Sequence, residues 1–341
     1  MISELRKDPT SGVWVAIASA RSRRPSDFRI NHGEERSGTC PFCYGNEHMT
    51  PAEVFVLGRE NDKANTKGWK VRVVPNKFPA FSLEYENSLE QTNGYEEEID
   101  LYLNMPAIGI HEVVVESPEH DSTFGTHSQE QMEGILSAII TRFQALKKDG
   151  RLKYLQAFRN WGQQGGASLA HAHCQLIAIP VVPKVIEVEL EHAEKYKKKT
   201  GNCLYCEILQ QELNKKDRIL TETKYFLAFC PYASKFPYET WIIPKHHNDT
   251  FENISGDELT DLATVLRQIA YMFELAFDDV PYNIVWHTAP WKRDFSAYYH
   301  WHLELIPRLT TIAGFELGTG YYINPTAPEI AAAALRESVP R

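Results

Sequence analysis

A chain of 341 residues, 43% hydrophobic and 24% charged, has the makeup of an ordinary globular protein long enough for two domains. Its net charge of -9 argues against coating nucleic acid, although Arg21-Ser22-Arg23-Arg24 is locally basic and reads as a solvated loop or an anion contact. No apolar stretch reaches membrane-spanning length and the N-terminus has no signal-peptide pattern, so the expected location is cytoplasmic.

Cys40-Pro41-Phe42-Cys43 is the first chemical signal in chain order, and Cys203-Leu204-Tyr205-Cys206 answers it in the second half. In a reducing compartment, paired Cys-x-x-Cys motifs with histidines elsewhere read as metal binding ahead of disulfide or redox chemistry. Cys174 and Cys230 lie in apolar surroundings and read as small core residues. A strand-like run from Val71 ends at Pro75-Asn76, and another, His111 to Glu116, leads into Ser117-Pro118-Glu119-His120. Gln129 to Lys147 carries Met132, Ile135, Leu136, Ile139, Ile140, Phe143 and Leu146 on one helical stripe. A glycine-rich turn (Gly162, Gly165, Gly166) precedes His171-Ala172-His173-Cys174-Gln175. The charged stretch from Glu187 to Gly201 reads as an exposed helix and linker.

The same order then recurs: Cys203/Cys206, strand-like Phe226 to Phe229, Glu239 to His247, a helical pattern over Asp257 to Phe277, and His300-Trp301-His302. His120 and His171 are 51 residues apart, His247 and His300 are 53 apart. Two copies of one unit are therefore expected, divided as 1–186 and 187–341. Strands, a long helix and two further strands per copy predict an α+β fold with antiparallel sheets and packed helices. Trp286, Trp291, Tyr298 and Tyr299 are read as exposed aromatics that serve an interface or the core equally well.

Side chains alternate along a strand, so His171, His173 and Gln175 share one face. An imidazole attacks phosphorus and leaves again near neutral pH, and an amide beside it donates to phosphoryl oxygens without taking a proton. This points to phosphoryl-type transfer through a covalent histidine. Tetrahedral zinc needs two more ligands than one Cys-x-x-Cys supplies. The candidates are His120 and His171 for Cys40/Cys43, and His247 and His300 for Cys203/Cys206.

These residues, with Arg21 to Pro25, Asn76, Phe158-Arg159-Asn160, Gly166-Ala167-Ser168 and Gly314 to Gly320, give a chain that resembles the galactose-1-phosphate uridylyltransferase family of the histidine-triad superfamily. The resemblance implies a tandem repeat of the histidine-triad fold and a nucleotidyltransferase that works on a nucleotide sugar and a sugar 1-phosphate, as a homodimer. It makes His173 the nucleophile, Gln175 the holder of the phosphoryl oxygens, and His171 a zinc ligand with Cys40, Cys43 and His120. It places Asn160 and Ser168 on the nucleotide phosphates and Arg21 and Arg24 near the diphosphate, with Asn76, Gly166 and Phe315 also toward substrate. Two positions depart from the bacterial pattern. Ala172 stands where those enzymes have proline, and their second metal site uses a glutamate and three histidines, for which Glu189, His287, His300 and His302 are available here. Cys203/Cys206, Ile243 to His247, His300-Trp301 and Gly318 to Pro325 instead look like the plant ADP-glucose phosphorylase branch, which favours Cys203, Cys206, His247 and His300 as the second zinc set. The expected activity is UDP-glucose–hexose-1-phosphate uridylyltransferase, with ADP-glucose phosphorylase and a non-catalytic zinc-stabilised nucleotide-binding protein as alternatives.

Overall fold

The computed structural model describes residues 3–18, 28, 39–60, 63–84 and 105–340, so Arg21 and Arg24 lie outside the described residues. The chain opens with β1 (Glu4–Lys7) and β2 (Trp14–Ile17). The first half continues with β3 (Phe55–Leu57), β4 (Val71–Pro75), β5 (Ile110–Val115), α1 (Gln129–Leu146), β6 (Tyr154–Trp161) and β7 (His173–Ile179). Helices α2 (Lys184–Thr200) and α3 (Leu204–Lys215) follow. The second half repeats the order with β8 (Ile219–Glu222), β9 (Phe226–Phe229), β10 (Thr240–Pro244), α4 (Gly256–Phe277), β11 (Tyr282–His287) and β12 (His302–Pro307). It closes with α5 (Gly314–Thr319), β13 (Tyr322–Asn324) and α6 (Pro328–Ser338).

Ten strands form one sheet in the order β3-β4-β5-β7-β6-β11-β12-β10-β9-β8. Every ladder in it is antiparallel, as the α+β expectation requires. Read from either edge to the centre, the two halves show the same strand order. They meet where β6 pairs β11, with Phe158 opposite Val285 and Asn160 opposite Asn283. α2 spans position 186, between the two halves. β13 pairs β2 in parallel and makes a separate three-stranded sheet with β1.

The helical stripe of α1 buries Met132, Ile135, Leu136, Ile139 and Phe143, and α4 buries Leu262, Val265, Leu266, Ile269 and Phe273. Both helices and one sheet face share a single apolar cluster, into which β7 sends Cys174, Leu176 and Ala178. Alternation therefore turns His173 and Gln175 to the opposite face. Pro183 precedes α2, and Gly201 ends it at φ 81°, a left-handed value that glycine adopts without a Cβ penalty. That helix is not wholly exposed, because Ile186, Glu189, Leu190 and Ala193 are buried. The aromatics read as exposed are corrected in the same way: Trp286, Trp291 and Tyr299 are buried, and only Tyr298 is partly open. The charged run Lys292-Arg293-Asp294 masked the inward face of the loop after β11.

Ser255 accepts from the Glu258 N–H while the Glu258 carboxylate accepts from the Ser255 N–H, a reciprocal cap on α4. Ser255→Ala leaves one donor of the first turn unpaired and should cost about 1 kcal/mol, read as a lower urea midpoint with an unchanged slope.

Candidate functional site

The site is built on β7 and its neighbours. His173 Nδ1 lies 2.8 Å from the His171 carbonyl oxygen. A carbonyl only accepts, so Nδ1 carries the hydrogen and Nε2 keeps its lone pair. His173 is buried, and that burial pushes its pKa below the usual imidazole value against the pull of the His171 carbonyl. The ring is therefore a neutral base with one free nitrogen. Phe42 packs edge-on against it at 5.4 Å.

Two carboxamides beside it are held by their oxygen ends. Gln175 Oε1 accepts from His111 Nε2 at 2.9 Å. Asn160 Oδ1 accepts from Asn283 Nδ2 at 2.8 Å, across the seam between β6 and β11. An amide whose oxygen is taken presents its N–H groups elsewhere. Asn283 Nδ2 also meets the Gly165 carbonyl at 2.6 Å, which ties the glycine-rich turn to the second half. Gly166 sits there at φ 86°, and a Cβ on Gly165 would meet the Tyr282 carbonyl oxygen at 3.0 Å. Ser168 follows on the exposed part of the same turn. Asn76 joins the group through His111: its N–H donates to the His111 carbonyl at 2.8 Å and its Nδ2 lies 3.1 Å from His111 Nε2. Phe315 stands apart on α5, 48% exposed, and that helix packs chiefly on β13. Sequence reasoning missed His111 and Asn283 as site residues. Their polar side chains inside strand-like runs were the only signal.

Behind β7, Glu116 and Arg159 form a fully buried two-pronged ion pair, with contacts of 2.8 and 3.1 Å. Arg159 also donates to the Tyr282 hydroxyl at 2.9 Å and lies between the rings of Phe124 and Trp161, at 4.3 and 4.7 Å. Cys174 rests on Glu116 at 3.3 Å. Burial alone would raise the Glu116 carboxyl, but Arg159 and His127 overcome it and hold it at about 2.

Cys40, Cys43, His120 and His171 come together, their ligand atoms all within 4.8 Å of one another. Cys43 Sγ is 3.1 Å from His120 Nδ1 and 3.7 Å from His171 Nδ1. His171 Nε2 donates to the Ser117 carbonyl at 2.8 Å, which leaves Nδ1 as a ligand nitrogen. Burial and the neighbouring Cys40 push the Cys43 thiol up to about 11, the penalty that a cation would relieve. The second group has the same build. Cys203, Cys206, His247 and His300 cluster, with Cys206 Sγ 3.3 Å from His247 Nδ1. His247 Nε2 donates to the Ser296 carbonyl and His300 Nε2 to the Pro244 carbonyl. Both groups could hold a metal ion.

His300 is therefore drawn away from Glu189, His287 and His302, which gather with Glu304 instead. Burial opposes charge on His287, yet Glu189 at 2.9 Å and Glu304 at 3.6 Å raise it to about 9. Burial and that neighbouring charge lower His302 to about 3. Among the described residues no helix is long and apolar enough to cross a membrane.

Comparison with known proteins agrees with this geometry. A family described as galactose-1-phosphate uridyl transferase, N-terminal domain, matches residues 1–183, and one described as a domain of unknown function (DUF4921) matches residues 112–339. The ADP-glucose phosphorylase of Arabidopsis thaliana is 34% identical over 339 residues, 98% of this chain and 92% of that protein. The galactose-1-phosphate uridylyltransferase of Thermotoga maritima is 30% identical over 345 residues, 98% of each. The crystal structure of the Arabidopsis thaliana ADP-glucose phosphorylase with bound ADP-glucose matches with a TM-score of 0.83, at 31% identity over 100% of both chains.

The ion pair behind β7 makes a testable contribution. Glu116 has a folded pKa of about 2 against an ordinary 4.5, so its contribution is fully present above 4.5 and is lost as pH falls toward 2. Glu116→Gln leaves Arg159 buried without a counter-charge and should cost about 3–5 kcal/mol near neutral pH. Urea midpoints measured from about pH 7 down to about pH 3 should be lower for the variant and fall less steeply in acid than those of the parent.

Proposed function

The chain belongs to the galactose-1-phosphate uridylyltransferase family, and from that premise we propose that it transfers nucleotidyl groups by double displacement through a nucleotidyl-His173. One observation carries the proposal: the His173 Nδ1 hydrogen is committed to the His171 carbonyl, so Nε2 is a free nucleophile on the face shared with Gln175.

Nε2 attacks the α-phosphorus of a nucleotide sugar such as UDP-glucose, and glucose 1-phosphate leaves. The ring then carries positive charge, which the His171 carbonyl stabilises through Nδ1–H. A second sugar phosphate, galactose 1-phosphate in the leading reading, attacks from the vacated side and frees His173. One difficult step becomes two easier ones. The transition state is loose, so positioned donors dominate. Gln175 and Ser168 hold the phosphoryl oxygens, Asn160 and Asn76 the flanking phosphate, and Arg21 and Arg24 the remaining charge, with Gly166 in the turn beside them. A phosphate leaving group needs no added proton. Because Gln175 cannot accept a proton from water, the covalent form persists until a phosphate acceptor arrives.

The donor sets suit zinc, with two sulfurs and two imidazole nitrogens in each. Cys40, Cys43, His120 and His171 would hold one ion, and Cys203, Cys206, His247 and His300 a second. With all four positions filled by protein, zinc supplies cross-linking rather than catalysis, and it fixes the strand that presents His173. We read residues 1–186 and 187–341 as two copies of the histidine-triad unit, the first catalytic, in a cytoplasmic homodimer.

A second reading replaces UDP-glucose with ADP-glucose, and the second acceptor with inorganic phosphate. The joining of Cys203, Cys206, His247 and His300, and the 34% identity to the Arabidopsis thaliana ADP-glucose phosphorylase, favour it.

Brief incubation with UDP-glucose or ADP-glucose labelled at the α-phosphate, followed by denaturation, should leave acid-labile, base-stable label on the parent and none on His173→Ala. Whichever base labels faster decides between the two readings. Label retained by His173→Ala ends both. Gln175→Ala should slow labelling by about a hundredfold or more, the usual loss for one such donor. Metal analysis should find two zinc ions per chain, and their removal by chelator should lower the melting temperature and abolish labelling together.

A further inference from the structure

We infer that His111 is a positioning residue for this reaction, holding the Gln175 carboxamide so that its N–H groups rather than its oxygen face the phosphoryl group at His173. The inference deepens the double-displacement reading and rests on it.

One donor beside the ring cannot be flipped. The Ala80 backbone N–H lies 3.3 Å from His111 Nδ1, so Nδ1 is an acceptor and carries no hydrogen. In a neutral ring the hydrogen then sits on Nε2. Burial holds the ring in that neutral form, against the opposing pull of Gln175. His111 Nε2 lies 2.9 Å from Gln175 Oε1, and the donor must be the histidine. Were the amide turned over, two donors would face each other in a buried place, at the cost of an unmade hydrogen bond. Asn76 Nδ2 lies 3.1 Å from the same ring nitrogen. The orientation of that amide is set by the Phe78 N–H, which donates to Asn76 Oδ1 at 2.9 Å.

The strand register supports the pairing. β5 sets Val113 opposite Gln175, so His111 occupies the next position on that face and reaches it diagonally. In the second half, Trp241 stands opposite Glu304 in the same relation, which puts Glu239 where His111 stands and Glu304 where Gln175 stands. The second half therefore holds two carboxylates, Glu239 and Glu304, where the first holds the histidine donor and its amide.

The test uses the full-length protein and three substitutions. His111→Phe keeps an aromatic ring and removes the donor, and His111→Gln returns an N–H near the same position. Labelled nucleotide sugar, followed over a single turnover, gives the rate at which label reaches His173. His111→Phe should slow it about tenfold with KM within about twofold, and His111→Gln should recover most of the loss. On a Gln175→Ala background His111→Phe should cost nothing further, since the histidine acts only through that amide. A His111→Phe variant as fast as the parent, or a loss that multiplies with that of Gln175→Ala, overturns the proposal. Long-range proton–nitrogen spectra of the histidine rings should show His111 protonated at Nε2 alone; an Nδ1–H form also overturns it. The spectrum needs no turnover. A parent that takes no label therefore removes the double-displacement reading, while the spectrum still decides the bond.

Discussion

A hydrogen bond spanning two residues, from His173 Nδ1 to the carbonyl of His171, decides which nitrogen of the His173 ring is free. It holds only if that carbonyl stays in place. His171 is fixed from three sides: its own Nε2 meets the Ser117 carbonyl, its Nδ1 faces Cys43, and its ring packs against Phe42 and His120. Beneath the same strand, the Glu116–Arg159 pair braces the opposite face through Cys174. The reactive face thus combines an unburdened base with a backbone that has little freedom to move, which is how preorganised sites lower the cost of reaching a transition state.

The second half packs the same scaffold differently around its own histidine pair. His302 Nδ1 reaches for the His300 carbonyl at 3.2 Å, the counterpart of the bond at His173. Yet its ring is stacked on His287 at 4.7 Å and packed by Trp241 at 4.8 Å and Tyr205 at 5.3 Å. Trp241 occupies the register position of Val113, and His287 that of Asn160. Larger rings thus stand around His302 than around His173. Beside this closed packing Cys203, Cys206, His247 and His300 keep the same arrangement as Cys40, Cys43, His120 and His171.

Much of this was legible in the sequence for a physical reason. Helical stripes such as Met132 to Leu146, and paired Cys-x-x-Cys motifs, are local patterns that cannot serve many other ends. The internal repeat was visible because both copies kept Cys-x-x-Cys and a His–His interval of 51 or 53 residues. What escaped was non-local. Asn283 braces Asn160 only because β11 lies beside β6, and no spacing in the chain announces that neighbour. Glu116 and Arg159 sit in runs that look apolar and exposed in turn, and only the fold brings them together. Trp291 and Tyr299 were misjudged because the charged run Lys292-Arg293-Asp294 hides the inward face of their loop.

The seam between β6 and β11 has a consequence for how the molecule is inherited as one piece. Split there, each half would present a bare sheet edge, an open invitation to pair with any other copy. Joined by a covalent tether, the two edges find each other at an effective local concentration far above that of stray copies. Each half is thus a permanent chaperone for the other's open edge.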